Sequence, residues 1–205
     1  MDEEAEKAGG KIADLLKRSG IPKRFLIKTF ETYQAGTPEQ TKALELCRRY
    51  ASKFDKCLDS GHGLVLTGKV GTGKSHLACA ILQEIMPRHV GAYTTVMDLV
   101  RLLRGSWGGK GGDESETLAK LGELPLLVID EVGVQFASAG ERVHLHDVLD
   151  RRYREQKPTI LITNEDDAGL IAVVGERVYD RLTETATYIR FDWRSHRGEA
   201  RKEYS

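Results

Sequence analysis

Residues 68 to 75 read GKVGTGKS and fit the pattern G-x-x-x-x-G-K-[ST], in which a glycine-rich turn wraps backbone N–H groups around a chain of phosphates. Each position has a chemical task. Gly68, Gly71 and Gly73 let the chain curl, Lys69, Val70, Thr72 and His76 add backbone amides, and Lys74 brings a fixed cation to the β- and γ-phosphates. Ser75 offers a hydroxyl to Mg²⁺, an ion that keeps most of its waters and takes few protein oxygens. A second cluster, LLVIDE at 126 to 131, ends an apolar run in two carboxylates. Asp130 is suited to holding the metal through its water shell, and Glu131 to orienting a water or accepting its proton. TILITN at 159 to 164 ends in Asn164, whose neutral amide can hydrogen-bond a terminal phosphate; asparagine is also a common turn former. Arg177 and Arg181 in GERVYDRL lie four apart, on one helical face. Arginine suits transition-state charge on a transferring phosphoryl group, while composition by itself favours pairing with Glu176, Asp180 or Glu184.

These residues need elements to position them, and the sequence supplies a βα rhythm. Apolar runs at 63 to 67, 92 to 96, 124 to 130, 159 to 163 and 187 to 191 alternate with amphipathic stretches, which predicts a parallel five-stranded sheet flanked by helices. The glycine motif follows the first run directly and opens a helix over 76 to 85, as phosphate binding at a helix N-terminus requires. Thr37 with Gln40 three residues on predicts a capping box, and Ala43, Leu44, Cys47, Tyr50 and Phe54 continue at helical spacing toward Gly61. Residues 104 to 115, RGSWGGKGGDES, read as a glycine-rich loop. His144 and His146, two apart on a helix, point to different faces and read as surface histidines rather than a metal pair.

Bulk composition narrows the class without naming it. With 205 residues the default is one α/β domain, and 31 basic against 31 acidic side chains exclude a nucleic-acid binder driven by net charge alone. Cys47, Cys57 and Cys79 form no metal-ligand spacing and read as reduced thiols, while the acidic start MDEEAEKAGG and the lack of a long apolar run point to a cytoplasmic chain without membrane contact.

The segments SGIPKRFLIKTFETYQ, GKVGTGKSHLACAI, LLVIDEVGVQ, LDRRYREQKPTILITN, GERVYDRL and FDWRSHRGEARKEY, in this order, resemble the DnaC and IstB-like family of AAA+ ATPases over most of residues 19 to 204. The resemblance implies an AAA+ P-loop NTPase fold over residues 37–205, without a separate full helical lid, preceded by an arm and linker over 1–36. It implies ATP and Mg²⁺ as cofactors and ATP hydrolysis in an ATP-dependent oligomer. It also implies single-stranded DNA and a replicative DNA helicase as partners. By motif, Asn164 becomes a sensor of the terminal phosphate, Arg181 the finger reaching a neighbour's nucleotide, and Arg197 a second sensor. The family's insertion facing DNA corresponds to residues 97 to 120, where Arg101, Arg104, Lys110 and Lys120 are phosphate partners and Trp107 a stacking platform. These loaders carry an extended helicase-binding region before this segment, against 18 residues here, so a shortened docking region is expected; Ile12, Leu15 and Leu16 form its one apolar stripe. Two rivals share the ATP chemistry or part of it: a transposition helper that binds duplex DNA, and an adaptor that binds ATP with little hydrolysis.

Overall fold

The structure, a computed structural model, describes residues 19–105, 114–133 and 139–196. Five strands, β1 (Gly63–Gly68), β2 (Gly91–Thr95), β3 (Leu126–Val132), β4 (Thr159–Thr163) and β5 (Ala186–Phe191), form one sheet in the order β2-β3-β4-β1-β5, with every neighbouring pair parallel. All five match the apolar runs of the sequence. The helices are α1 (Pro38–Ser52), α2 (Phe54–Ser60), α3 (Lys74–Ile85), α4 (Val96–Gly105), α5 (Glu114–Glu123), α6 (Ala139–Arg154), α7 (Asp167–Val174) and α8 (Glu176–Thr185). Because side chains alternate along a strand, Leu64 and Leu66 of β1 face a core built with α1 and α3, while Val65 faces one built with α4, α6, α7 and α8. Burial on both faces explains why the strands read as continuous apolar runs.

The expected capping box is present: the Thr37 hydroxyl accepts from the Gln40 amide at 3.3 Å, and the Gln40 side chain accepts from the Thr37 amide at 3.0 Å. One boundary differs. The helix expected to run toward Gly61 breaks at Lys53 (φ −107°, ψ 20°), and Phe54, fully buried, opens the next helix. Residues 19 to 36 cross the sheet edge and contribute Ile21, Phe30 and Tyr33 to the core beside α1 and α3. Ile12, Leu15 and Leu16 lie outside the described residues.

Within the stretch expected to face DNA, Arg101 pairs with Asp98 at 3.0 Å and Lys120 with Glu116 at 2.8 Å, each on its own exposed helix face. Arg104 sits at the exposed end of α4. Trp107 and Lys110 fall outside the described residues. The histidine expectation is corrected at one position: His144 is buried, 3.4 Å from the Glu114 carboxylate, because the packing of α6 on α5 covers it. Among the described residues no cluster of candidate metal ligands forms, and no helix is long and apolar enough to cross a membrane.

The entry of β4 is held by Arg152, 1% exposed, which donates to the Thr159 hydroxyl at 2.9 Å and to the carbonyls of Leu121 and Pro158 at 2.5 and 2.6 Å. Arg152→Met keeps the apolar stem but strands these buried acceptors. It is expected to lower unfolding free energy by about 3 kcal/mol, read as a lower urea midpoint at unchanged m-value.

Candidate functional site

The strand order sets the geometry of the site. β1, β4 and β3 are consecutive neighbours in the sheet, so the turn after β1, Asn164 after β4, and Asp130 with Glu131 in β3 gather at one carboxyl edge, where α/β folds bind ligands. Lys74, Ser75, Asp130, Glu131 and Asn164 line a single cavity of about 390 Å³.

Gly68, Gly71 and Gly73 all adopt positive φ, 123°, 77° and 100°. At Gly73 the requirement is double, since a Cβ there would also lie 2.7 Å from the Tyr33 ring. Lys74 opens α3, 6% exposed, with its ammonium donating to the carbonyls of Gly68 and Lys69 at 2.6 and 2.7 Å. Distant segments hold the turn from both sides. From the C-terminal side, the Lys69 amide donates to the Phe191 carbonyl at 3.1 Å, the Trp193 indole to the Thr72 carbonyl at 2.9 Å, and the His196 amide to the Gly71 carbonyl at 3.0 Å. From the N-terminal side, Tyr33 packs against Gly73, and the His76 ring meets the Thr29 carbonyl at 2.8 Å. Burial lowers the His76 pKa despite the raising effect of the Thr29 hydrogen bond, so the ring is held neutral and donates through Nε2.

Asp130, 6% exposed, accepts three short hydrogen bonds. Its Oδ2 takes the hydroxyls of Ser75 and Tyr93, both at 2.6 Å, and its Oδ1 takes the Glu131 amide at 2.6 Å. Glu131 itself has φ 60°, rare for a side-chain-bearing residue, at an irregularity in the β3–β4 register between Ile129 and Val132. This turn leaves Glu131 exposed in the cavity while Asp130 stays covered. Asn164 is exposed beside them.

The arginines lie elsewhere. Arg181 lines a separate cavity of about 330 Å³ together with Gly63, Thr159 and Ala186, the first residues of β1, β4 and β5, and thus at the amino edge of the sheet. Its carboxylate partner is Asp150 on α6 rather than Glu176, Asp180 or Glu184, and its guanidinium also lies 4.4 Å above the Tyr153 ring. Arg154 joins Asp150 at 3.0 Å and Arg177 at 4.0 Å. Partial burial of Asp150 acts to raise its pKa, but the hydrogen bond and charge of Arg181, with Arg154 and Arg177, outweigh it and hold the carboxyl below its usual range. Arg197 lies outside the described residues.

Tyr93 and Asp150 carried no signal in the sequence, since a tyrosine in an edge strand and an aspartate amid arginines each suggest nothing alone. Arg24, Phe25 and Lys28, which line the large cavity from the N-terminal segment, were equally silent.

The residues fit the ligands that the motifs imply. A turn with three glycines at positive φ opens onto a helix N-terminus and a buried lysine, which suits polyphosphate, and the Ser75 hydroxyl touching the Asp130 carboxylate is the hard oxygen set that Mg²⁺ prefers.

Such a turn, leading from β1 into α3 of this parallel sheet, defines a P-loop ATPase of the AAA+ type. The chain belongs to the family of IstB-like ATP binding proteins, whose sequence profile matches residues 2–203. It is 34% identical over 204 residues to the replicative helicase loader DnaC of Escherichia coli (strain K12), covering 98% of this chain and 82% of that one. A crystal structure of the DnaC helicase loader superposes with a TM-score of 0.75 at 26% identity, over 83% of this chain and all of that one. AMPPCP-bound DnaA from Aquifex aeolicus shares the fold, at a TM-score of 0.64 and 23% identity, over 86% of this chain and 54% of that one.

Gly73→Ala is expected to weaken ATP binding at least about tenfold, because the Cβ both strains the turn and pushes against Tyr33. Titration with a fluorescent ATP analogue checks it, with thermal melting as the control for fold.

Proposed function

We propose that this chain is an ATP-hydrolysing loader that acts on a replicative DNA helicase, working in DNA replication as an ATP-dependent assembly on single-stranded DNA. The observation that carries the reading is the similarity to the DnaC loader across nearly the whole chain, combined with a cavity lined by Lys74, Ser75, Asp130, Glu131 and Asn164.

In this reading Gly68, Lys69, Val70, Gly71, Thr72, Gly73 and the start of α3 through His76 cradle the phosphates, and Lys74 draws charge from the β- and γ-oxygens. Ser75 and Asp130 hold Mg²⁺, which when bound neutralises charge that develops on the phosphates. Glu131 orients a water in line with the γ-phosphorus and takes its proton as the oxygen bonds and ADP departs. Asn164 hydrogen-bonds the γ-phosphate or that water. The presence of Glu131 in the cavity argues against the passive adaptor.

Arg181 acts on the nucleotide of a second copy. Five residues of β4 separate the amino edge, where Arg181 sits, from the carboxyl edge, where the cavity lies, and at ~3.3 Å per residue that is about 16 Å. An arginine side chain does not span that distance, so a finger role is possible only between subunits. The family profile also keeps a second reading in view, a transposition helper of the IstB type. ATPase stimulation by single-stranded against duplex DNA separates the two: stimulation by single strands alone supports the loader, and by duplex alone the helper.

Glu131→Gln is expected to keep ATP affinity within about twofold and slow turnover at least about a hundredfold, since the amide retains shape but takes no proton. Single-turnover hydrolysis beside nucleotide titration checks it.

Arg181→Ala is expected to leave nucleotide binding by the single chain intact and to lower the ATPase rate of the assembly by about a hundredfold or more. Mixed with Lys74→Ala, which keeps its own finger, it should regain activity at interfaces pairing an intact cavity with an intact arginine. Absence of recovery in demonstrated mixed assemblies would assign Arg181 a structural role.

A further inference from the structure

Tyr93 is the one hydroxyl on Asp130 that the phosphate-binding motifs do not supply. It sits in the edge strand β2, 7% exposed, and donates at 2.6 Å to Oδ2, the same oxygen that receives Ser75. We propose that Tyr93 is a positioning residue for Asp130, fixing this carboxylate for Mg²⁺, and that residues 19 to 25 in turn fix Tyr93. The proposal rests on the reading above that Asp130 holds the metal.

Consider what orients the carboxylate. Oδ1 is held by the Glu131 amide, so one oxygen is anchored by the carboxylate's own chain. Oδ2 is shared by Ser75, which as a metal ligand must also direct a lone pair at the ion, and by Tyr93, which has no second task. The tyrosine keeps Oδ2 in place whichever way the serine hydroxyl rotates. Outer-shell donors of this kind orient metal-holding carboxylates, and their loss costs about 10–100-fold in metal affinity.

Tyr93 is itself held from outside the sheet. Its backbone amide, on the open edge of β2, donates to the Ser19 carbonyl at 2.6 Å, and its ring lies 6.4 Å from that of Phe25. Between those contacts sits Gly20, at φ 74°, where a Cβ would lie 2.2 Å from the Tyr93 carbonyl oxygen. Only glycine lets the segment approach this closely. The same segment is tied to α3 through the Gln83 amide, which donates to the Phe25 and Lys28 carbonyls at 3.2 and 2.9 Å. The metal-facing carboxylate is therefore connected by direct contacts, Asp130 to Tyr93 to Ser19 and Phe25, with the start of the described chain. A displaced N-terminal segment should register as altered affinity for Mg²⁺.

The test uses the full chain and a fluorescent ATP analogue, titrated in excess EDTA and then across a range of MgCl₂. For Tyr93→Phe, which keeps the ring and deletes one oxygen, affinity in EDTA is expected within about twofold of the parent. The Mg²⁺ concentration giving half of the metal-dependent gain should rise about tenfold. Steady-state hydrolysis should show the same shift in Mg²⁺ requirement, with kcat restored at saturating metal. Gly20→Ala, which touches neither nucleotide nor metal, should move the Mg²⁺ midpoint in the same direction. Thermal melting establishes that each variant is folded, and a folded Tyr93→Phe with the parental midpoint overturns the tyrosine's role. A folded Gly20→Ala with the parental midpoint overturns the link to the N-terminal segment. Asp130→Asn separates this from the underlying reading: if it leaves the metal-dependent gain intact, the placement of Mg²⁺ on Asp130 fails, whereas its loss there with no shift in Tyr93→Phe defeats the tyrosine proposal alone.

Discussion

The Asp130 carboxylate joins two parts of the molecule that are distant in sequence, the phosphate turn through Ser75 and the edge strand through Tyr93, to the bend at its neighbour Glu131, whose amide it accepts. Charge-assisted hydrogen bonds at 2.6 Å in a site this covered are among the strongest directional contacts available to a protein. They also compensate a local cost. Holding Glu131 at φ 60° is unfavourable by about 1–2 kcal/mol for a residue with a side chain. The Asp130 carboxylate stabilises that bend, with help from the Thr163 hydroxyl, which donates to the Val132 carbonyl at 2.5 Å. Two successive carboxylates thereby acquire different environments, one buried and hydrogen-bonded, the other exposed to the cavity.

The phosphate turn is shaped as much by its neighbours as by its glycines. Contacts come from Phe191 at the end of the last strand and from Trp193 and His196 after it, and contacts from Thr29 and Tyr33 precede the first helix. Among the described residues no helical layer follows β5, and Trp193 and His196 instead lie against the turn itself. The Trp193 indole and the His196 amide make these contacts, donating to the turn's Thr72 and Gly71 carbonyls.

Arg181 is held by a different balance. Three guanidinium groups, those of Arg154, Arg177 and Arg181, share the single carboxylate of Asp150. The cluster carries more positive than negative charge at the amino edge of the sheet, a setting that favours an incoming anion over a neutral surface. The cavity lined by Arg181 and the cavity lined by Lys74 lie at opposite strand ends, and for that reason the chain cannot bring its own Arg181 to its own glycine-rich turn.

The sequence by itself determined the chemistry and the class of fold. GKVGTGKS, the strand ending in Asp130 and Glu131, and the five apolar runs each follow from local rules, since a phosphate turn needs glycines at fixed spacing and doubly covered strands need unbroken apolar residues. The capping box at Thr37 was equally local. What tertiary structure alone decided was which neighbours those residues have. The Lys53 break had no sign in the apolar spacing, which continues through Phe54, and the buried Phe54 opens a separate short helix there. His144 looked like a surface residue because its cover comes from α5, across a connection whose path the sequence does not specify. Arg181 found Asp150 across a helix pair, 31 residues away, and Tyr93 reached Asp130 only because β2 lies next to β3 in register. Periodicity reports how a residue relates to its own element; contacts between elements depend on strand order and helix packing, which are fixed by the whole chain at once.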